Sequence, residues 1–242
     1  MTMRCAVLYD CEYLTMEGAQ KRYWAGPLDP DPIVVQIGAV RLGLEDDFPI
    51  LETEKIYVTP VDRFGRACAL DPYFIDLTGI SQETVRQEGI SLKSAIDRLA
   101  GFAADACMWA WGKDELNLMG ISCYVAGIDP VLPASRFGNA SRLLLKAGMP
   151  YEDIQKTNSG QLADYFGIDH PPEQVTAAPG LVARYMFQER AKGVAGVLRV
   201  GLEIAHVPAH DAPVAGGKGI QKDRVRDDAR KHAVKLVPKI VL

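Results

Sequence analysis

Three strand-like segments occupy the first third of the chain, and they constrain its fold more than any other feature. The segments are MRCAVLYD, DPIVVQIGAVRL and EKIYVTP, with Asp31-Pro32 marking the turn into the second and Pro60 ending the third. Short strands that follow one another directly favour an antiparallel meander at the start of a sheet. The polar, proline-rich stretch MEGAQKRYWAGPLDPDP between the first two segments is predicted to be a loop.

The hydrophobic period changes after Asp71, where helix-like and strand-like segments alternate. SLKSAIDRLAGFA predicts an amphipathic helix, because its apolar residues have helical spacing: Leu92, Ala95, Ile96, Leu99 and Phe102. CMWAWG predicts a strand, and ELNLMGISCYVAGI a helix that runs into a loop. Further helices are predicted at SGQLADYFGI, with Ser159 as its N-cap candidate, across most of residues 171–201, and at KDRVRDDARKHAVKLV. Strands first, then helices around a mixed sheet, indicate an α/β fold.

Two carboxylates, Asp10 and Glu12, stand one residue apart in LYDCEYLT, next to the first predicted strand. Side chains two apart on a strand point to the same face, so their charges would repel unless a cation offset them. The alternative is that the strand ends at Tyr9 and both acids are solvated loop residues. A metal site would need further ligands, and two stretches offer them: MWAWGKDELNLM with Asp114, and AHVPAHDAPVAGGKGI with His206 and Asp211.

The composition excludes several classes of protein. A net charge of −4 over 242 residues argues against binding nucleic acid through bulk positive charge, although residues 218–239 carry eight Lys or Arg against three Asp. No apolar run is long enough to span a bilayer and the N terminus does not resemble a secretory signal, so we expect a cytoplasmic protein without membrane contacts. The five cysteines lack CxxC spacing and predict neither disulfides nor a zinc site.

Five short motifs, in order, resemble those of the DEDDh 3′→5′ exonucleases, in the DnaQ-like or RNase H-like superfamily that includes proofreading exonucleases, RNase T and oligoribonuclease. They are Asp10-Cys11-Glu12 after a strand, VVQIGAV, Leu77-Thr78-Gly79-Ile80, Trp111-Gly112-Lys113-Asp114, and His206 with Asp211 and Ala212. The similarity extends from residue 4 to about residue 220. It implies a single exonuclease domain over residues 1–242, with a helical insertion at about 169–200 and a basic helical tail at about 218–242.

The resemblance also implies roles for individual residues. Four carboxylates would hold two divalent ions, Mg²⁺ or Mn²⁺, which prefer oxygen ligands: Asp10, Glu12, Asp114 and Asp211. His206 would accept the proton of the attacking water. Starting the last motif at His210 would put Ala215 where a metal ligand belongs, so we prefer the His206 register. That register requires the helix near Pro208 and Pro213 to begin late or to be distorted.

The substrate implied by the resemblance is the 3′ end of a single-stranded or short nucleic acid. Tyr13, Leu14 and Thr15 would cradle the terminal nucleotide, and Trp111 would either stack on a base or pack in the core. The WG-x-D form of the fourth motif slightly favours RNA over DNA. The alternative function is a catalytically inactive nucleic-acid-binding or scaffold protein on the same fold, and a homodimer is left open.

Overall fold

The computed structural model describes residues 5–44, 49–146, 149–157 and Tyr165, and these fall into two compact units. The described part of the first unit runs to Asn139 and contains the strands β1 (Cys5–Tyr13), β2 (Val34–Gly43), β3 (Ile50–Tyr57), β4 (Cys107–Ala110) and β5 (Phe137–Asn139). Its helices are α1 (Pro72–Thr78), α2 (Gln82–Glu88), α3 (Leu92–Ala103) and α4 (Asp114–Ala126), with short 3-10 turns at Gln20–Arg22 and Ala134–Arg136. The second unit begins at Ala140 and contains α5 (Ala140–Lys146) and α6 (Tyr151–Lys156).

The five strands form one mixed sheet in the order β3-β2-β1-β4-β5. β1 pairs with β2, and β2 with β3, in antiparallel fashion, whereas β4 pairs in parallel with both β1 and β5. The predicted α/β fold, a mixed sheet that opens with antiparallel strands and is flanked by helices, is therefore confirmed.

β1 is longer than the apolar pattern alone indicates, and it runs through both acids of the first motif. Asp10 lies opposite Gly38 and Glu12 opposite Gln36 in the antiparallel register with β2. The reading in which the strand ends at Tyr9 and leaves two loop carboxylates is wrong. Backbone pairing with β2 fixes the positions of Asp10 and Glu12.

One face of the sheet packs against α3 and α4. From β1 this face presents Val7, Tyr9 and Cys11, because alternate residues of a strand share a face. The predicted apolar stripe of α3 is confirmed, since all five of its residues are buried. Ser91 caps the helix by accepting a hydrogen bond from the backbone N–H of Ser94 at 3.1 Å.

Two helices that the hydrophobic pattern did not predict, α1 and α2, precede α3. α1 begins at Pro72 after Asp71, whose side chain accepts from the Tyr73 N–H, and it ends at Gly79 with a φ of 69°. Residues 77–80, the third of the five motifs, thus form the end of α1 and the bend into α2. A second apolar cluster joins these helices to the end of β1 and the start of β2: Leu14, Val35, Leu70, Phe74, Ile80 and Val85.

The second unit is described only in part. The Met149 N–H donates to the Leu144 carbonyl at 3.0 Å, and the Tyr165 hydroxyl donates to the Asp153 carboxylate at 2.7 Å. Apart from Tyr165, the predicted helix at SGQLADYFGI lies outside the described residues, as do the insertion at about 169–200 and the basic tail at about 218–242. Within the described ranges, no helix is long and apolar enough to cross a membrane.

Candidate functional site

The end of β1 places two carboxylates side by side. Asp10 and Glu12 are half-buried and lie two residues apart on the strand, so they leave it on the same side. The β2 residue opposite Asp10 is Gly38, so β2 contributes no side chain beside that carboxylate. Opposite Glu12 lies the buried Gln36. The arrangement leaves Asp10 as the residue of the pair best placed to meet a group from another element.

That group comes from α4. Glu115, the second residue of the helix, is only 8% exposed, whereas the preceding Asp114 is exposed. The Asp10 side chain hydrogen-bonds to the Glu115 side chain and acts on it through its charge. The structure therefore brings Asp10 together with Glu115. The motifs in the sequence had instead predicted the neighbouring residue, Asp114.

Two hydrogen bonds fix the start of α4. Gly112 adopts a φ of 81°, in the left-handed region that favours glycine, and its N–H donates to the side-chain oxygen of Asn139 at 3.1 Å. The Tyr13 hydroxyl donates to the backbone carbonyl of Glu115 at 3.1 Å, which ties the end of β1 to the first turn of the helix. These two hydrogen bonds hold the backbone at Gly112 and at Glu115, and they thereby set the position of Glu115 relative to β1.

Glu115 is held in an unfavourable environment for a charged group. Burial, followed by the negative charge of Asp10, raises the pKa of its carboxyl from 4.5 to about 8. Its Oε2 atom is buried and has no hydrogen-bond partner among the described residues. A buried carboxylate oxygen without a partner is costly, and a cation or a proton is what relieves that cost.

The thiol and the two phenols of β1 face the core. Burial raises the pKa of Tyr9, Cys11 and Tyr13, and the side chains of Cys11 and Tyr13 hydrogen-bond to each other. A buried thiol with a raised pKa is a poor nucleophile, so Cys11 packs in the core and does not serve chemistry.

The residues expected to cradle a terminal nucleotide are largely engaged elsewhere. The Tyr13 hydroxyl is bound to α4, Leu14 is 3% exposed within the second apolar cluster, and Thr15 is 1% exposed. The Leu14 carbonyl accepts from the Trp24 indole N–H at 3.0 Å. Trp111, by contrast, is half-exposed beside the turn that opens α4. The substrate contacts of all four residues stay predictions.

The remaining motif residues, His206 and Asp211, lie outside the described residues, as does the competing His210. Within the described ranges, no group of three or more His, Cys, Asp or Glu side chains is arranged to hold a metal ion. The described part of the site is thus a carboxyl pair, Asp10 with Glu115, next to Glu12. The pair fits a hard divalent ion, because Mg²⁺ commonly uses one or two carboxylates and completes its coordination with water and substrate phosphate.

Comparison with solved structures finds the same fold in exonuclease I. A product-bound exonuclease I matches at a TM-score of 0.51 and 16% identity, over 84% of this chain and 46% of that chain. The apo enzyme matches at 0.50 and 16%, over 84% and 44%. E. coli exonuclease I in complex with a dA16 oligonucleotide matches at 0.45 and 15%, over 78% and 41%.

The match to exonuclease I defines the architecture of this chain. At 16% identity and a TM-score of 0.51, it shows a shared α/β fold. The chain spans less than half the length of the exonuclease I chains that it matches. No family model matches the sequence, and no curated protein does so.

Proposed function

We propose that the protein is a metal-dependent 3′→5′ exonuclease that hydrolyses phosphodiester bonds of single-stranded or short nucleic acid. The observation that carries the proposal is the buried contact between Asp10 and Glu115, with an unpartnered carboxylate oxygen, beside Glu12 at the end of β1. The fold shared with exonuclease I supports it. If the pair had only a structural role, we would expect its buried oxygens to be hydrogen-bonded, and we would not expect two acidic groups to repel each other in the interior.

The chemistry assigns separate tasks to the residues of this chain. Asp10, Glu12, Asp211 and a carboxylate from the start of α4, predicted from the sequence as Asp114, would hold two Mg²⁺ or Mn²⁺ ions. Bound divalent ions lower the pKa of water and neutralise charge on the phosphate and the leaving oxygen. His206 accepts the proton of the attacking water, a task that suits imidazole because its ordinary pKa is about 6.5.

The proposed substrate is the free 3′ end of a nucleic acid. Trp111 is half-exposed next to the start of α4, where an aromatic ring can stack on a base with a gain of about 1–3 kcal/mol. Because Leu14 and Thr15 are buried, their contribution to the terminal nucleotide would come through the shape of the surface. RNA is slightly favoured over DNA on the form of the Trp111-Gly112 motif alone.

Degradation of matched 5′-labelled single-stranded RNA and DNA tests the proposal, with Mg²⁺, Mn²⁺ or a chelator present. We expect a ladder that shortens from the 3′ end, requires a divalent ion, and disappears in Asp10→Asn and in His206→Ala. Asp105→Asn, at an exposed carboxylate just before β4, is the matched control and should retain the ladder.

Intact strands with the wild-type protein and either ion would overturn the proposed activity. Retention of nucleic-acid binding in that case would identify the alternative, an inactive binding protein on the same fold. Activity that survives in Asp10→Asn would show that hydrolysis does not depend on the site at the end of β1.

A further inference from the structure

α4 begins with two adjacent carboxylates, and they point in different directions. Successive residues of a helix are rotated by about 100° around its axis, so the side chains of Asp114 and Glu115 leave it on different sides. Asp114 is exposed, whereas Glu115 belongs to the buried stripe of the helix together with Met119, Ser122 and Cys123. Of the two carboxylates, Glu115 is the buried one, and its side chain hydrogen-bonds to Asp10 at the end of β1.

We propose that Glu115, and not Asp114, is the α4 carboxylate that binds a divalent cation together with Asp10. This inference rests on the proposed function, and it replaces the residue that the motif spacing selects. The cation would be of the oxygen-loving class, Mg²⁺ or Mn²⁺, because the donors within reach are carboxylates.

The burial of Glu115 is the first support. At 8% exposure its carboxylate lies almost wholly out of solvent, and Oε2 finds no hydrogen-bond donor among the described residues. Among the described residues, the side chains that act on its charge are those of Asp10 and Asp114, and both are acidic. A site built from facing carboxyl groups with an unsatisfied oxygen is complementary to a positive ion.

The rigid placement of Glu115 is the second support. Its backbone carbonyl accepts from the Tyr13 hydroxyl at 3.1 Å, and Tyr13 lies on the strand that carries Asp10. On the other side, Gly112 is held by Asn139. Ligands whose positions are set by surrounding contacts bind an ion with less loss of conformational freedom. Asp114, by contrast, is exposed at the helix start.

Binding of Mn²⁺ to the full chain in the absence of nucleic acid tests the inference, measured by titration with electron paramagnetic resonance detection of free Mn²⁺. Wild type, Glu115→Gln and Asp114→Asn are compared, and circular dichroism checks that each is folded. We expect Glu115→Gln to weaken Mn²⁺ binding by about tenfold or more, since loss of even an outer partner of a metal site typically costs 10–100-fold. Asp114→Asn should change the affinity by less than about threefold, as expected for an exposed side chain that does not bind the ion.

A second variant distinguishes a loss of Mn²⁺ binding from a folding defect. Glu115→Asp keeps the charge but withdraws the carboxylate by one methylene, so we expect weaker Mn²⁺ binding than in wild type without loss of the fold. Unchanged affinity in both Glu115 variants, or a loss confined to Asp114→Asn, would overturn the inference while leaving the exonuclease proposal standing. A wild-type protein that neither binds Mn²⁺ nor degrades nucleic acid would overturn the proposed function itself.

Discussion

Replacing Glu115 by Gln should stabilise the cation-free protein at neutral pH. The folded state holds the carboxyl with its pKa raised from 4.5 to about 8, through burial and the charge of Asp10. Below pH 4.5 the carboxyl is protonated in both the folded and the unfolded chain, and its titration does not affect stability. Between the two pKa values only the unfolded chain has released the proton, so stability falls as the pH rises.

The size of this loss of stability follows from the interval between the ordinary pKa of 4.5 and pH 7. From pH 4.5 to pH 7 is about 2.5 pH units, and each unit is worth ~1.4 kcal/mol, so the wild-type protein loses about 3 kcal/mol over that range. A Gln side chain has almost the same shape, does not ionise, and can donate an N–H to Asp10. Glu115→Gln should therefore gain about 3 kcal/mol at pH 7 and little at pH 4.5. For a chain of this length the gain corresponds to a Tm higher by about 6–12 °C.

Urea unfolding of wild type and variant, followed between pH 4.5 and 8.5 with a chelator present, measures this difference. The gap in the free energy of unfolding should open as the pH rises, because the groups that do not interact with Glu115 titrate alike in both proteins. Glu152→Gln, at an exposed position of α6, is the matched control and should follow the wild-type curve. Parallel curves for wild type and Glu115→Gln would refute a buried, proton-holding Glu115.

Three further substitutions test the supports of the site and the core. Tyr13→Phe removes the hydrogen bond to the Glu115 carbonyl and should cost about 1 kcal/mol in urea unfolding and weaken Mn²⁺ binding. Gly112→Ala meets open space, yet its φ of 81° should cost about 1–2 kcal/mol by the same assay. Ser91→Ala removes the cap of α3 and should cost about 1 kcal/mol without changing Mn²⁺ affinity, because the cap lies at the N terminus of a different helix.

The sequence predicts the sheet better than it predicts the elements around it. The apolar runs of β1 and β2 and the stripe of α3 give strong periodic signals, and all three are observed. β5 has only three residues, Phe137–Asn139, and is too short to produce a period of two. α1 and α2 have seven residues each, so their apolar spacing is weak, but Asp71-Pro72 and Ser81 are capping signals that could have located their starts.

The sequence also predicts part of the candidate site, namely the part that follows from the geometry of a strand. Asp10 and Glu12 were identified correctly as same-face neighbours on a strand, because a period of two follows from backbone geometry. Glu115, which the structure brings to Asp10, was not among the predicted residues, because the prediction of Asp114 rested on motif spacing and not on the face of the helix. Its spacing to Met119, Ser122 and Cys123 is four, seven and eight residues, which places it on the buried side of α4. A charged residue within the buried stripe of a helix is the sequence signal by which Glu115 could have been identified.

The buried carboxyl pair also explains why the site would depend on an ion more than an exposed acidic cluster does. In water, like charges are screened and solvated, so removing a cation costs little. At the end of β1 the Glu115 carboxyl has little access to solvent and an acidic neighbour, so the folded protein without an ion must either retain a proton or lose stability. A divalent ion competes with that proton, and its binding should become stronger as the pH rises towards 8. The instability of the carboxyl pair at neutral pH and its proposed affinity for an ion would thus have the same physical origin.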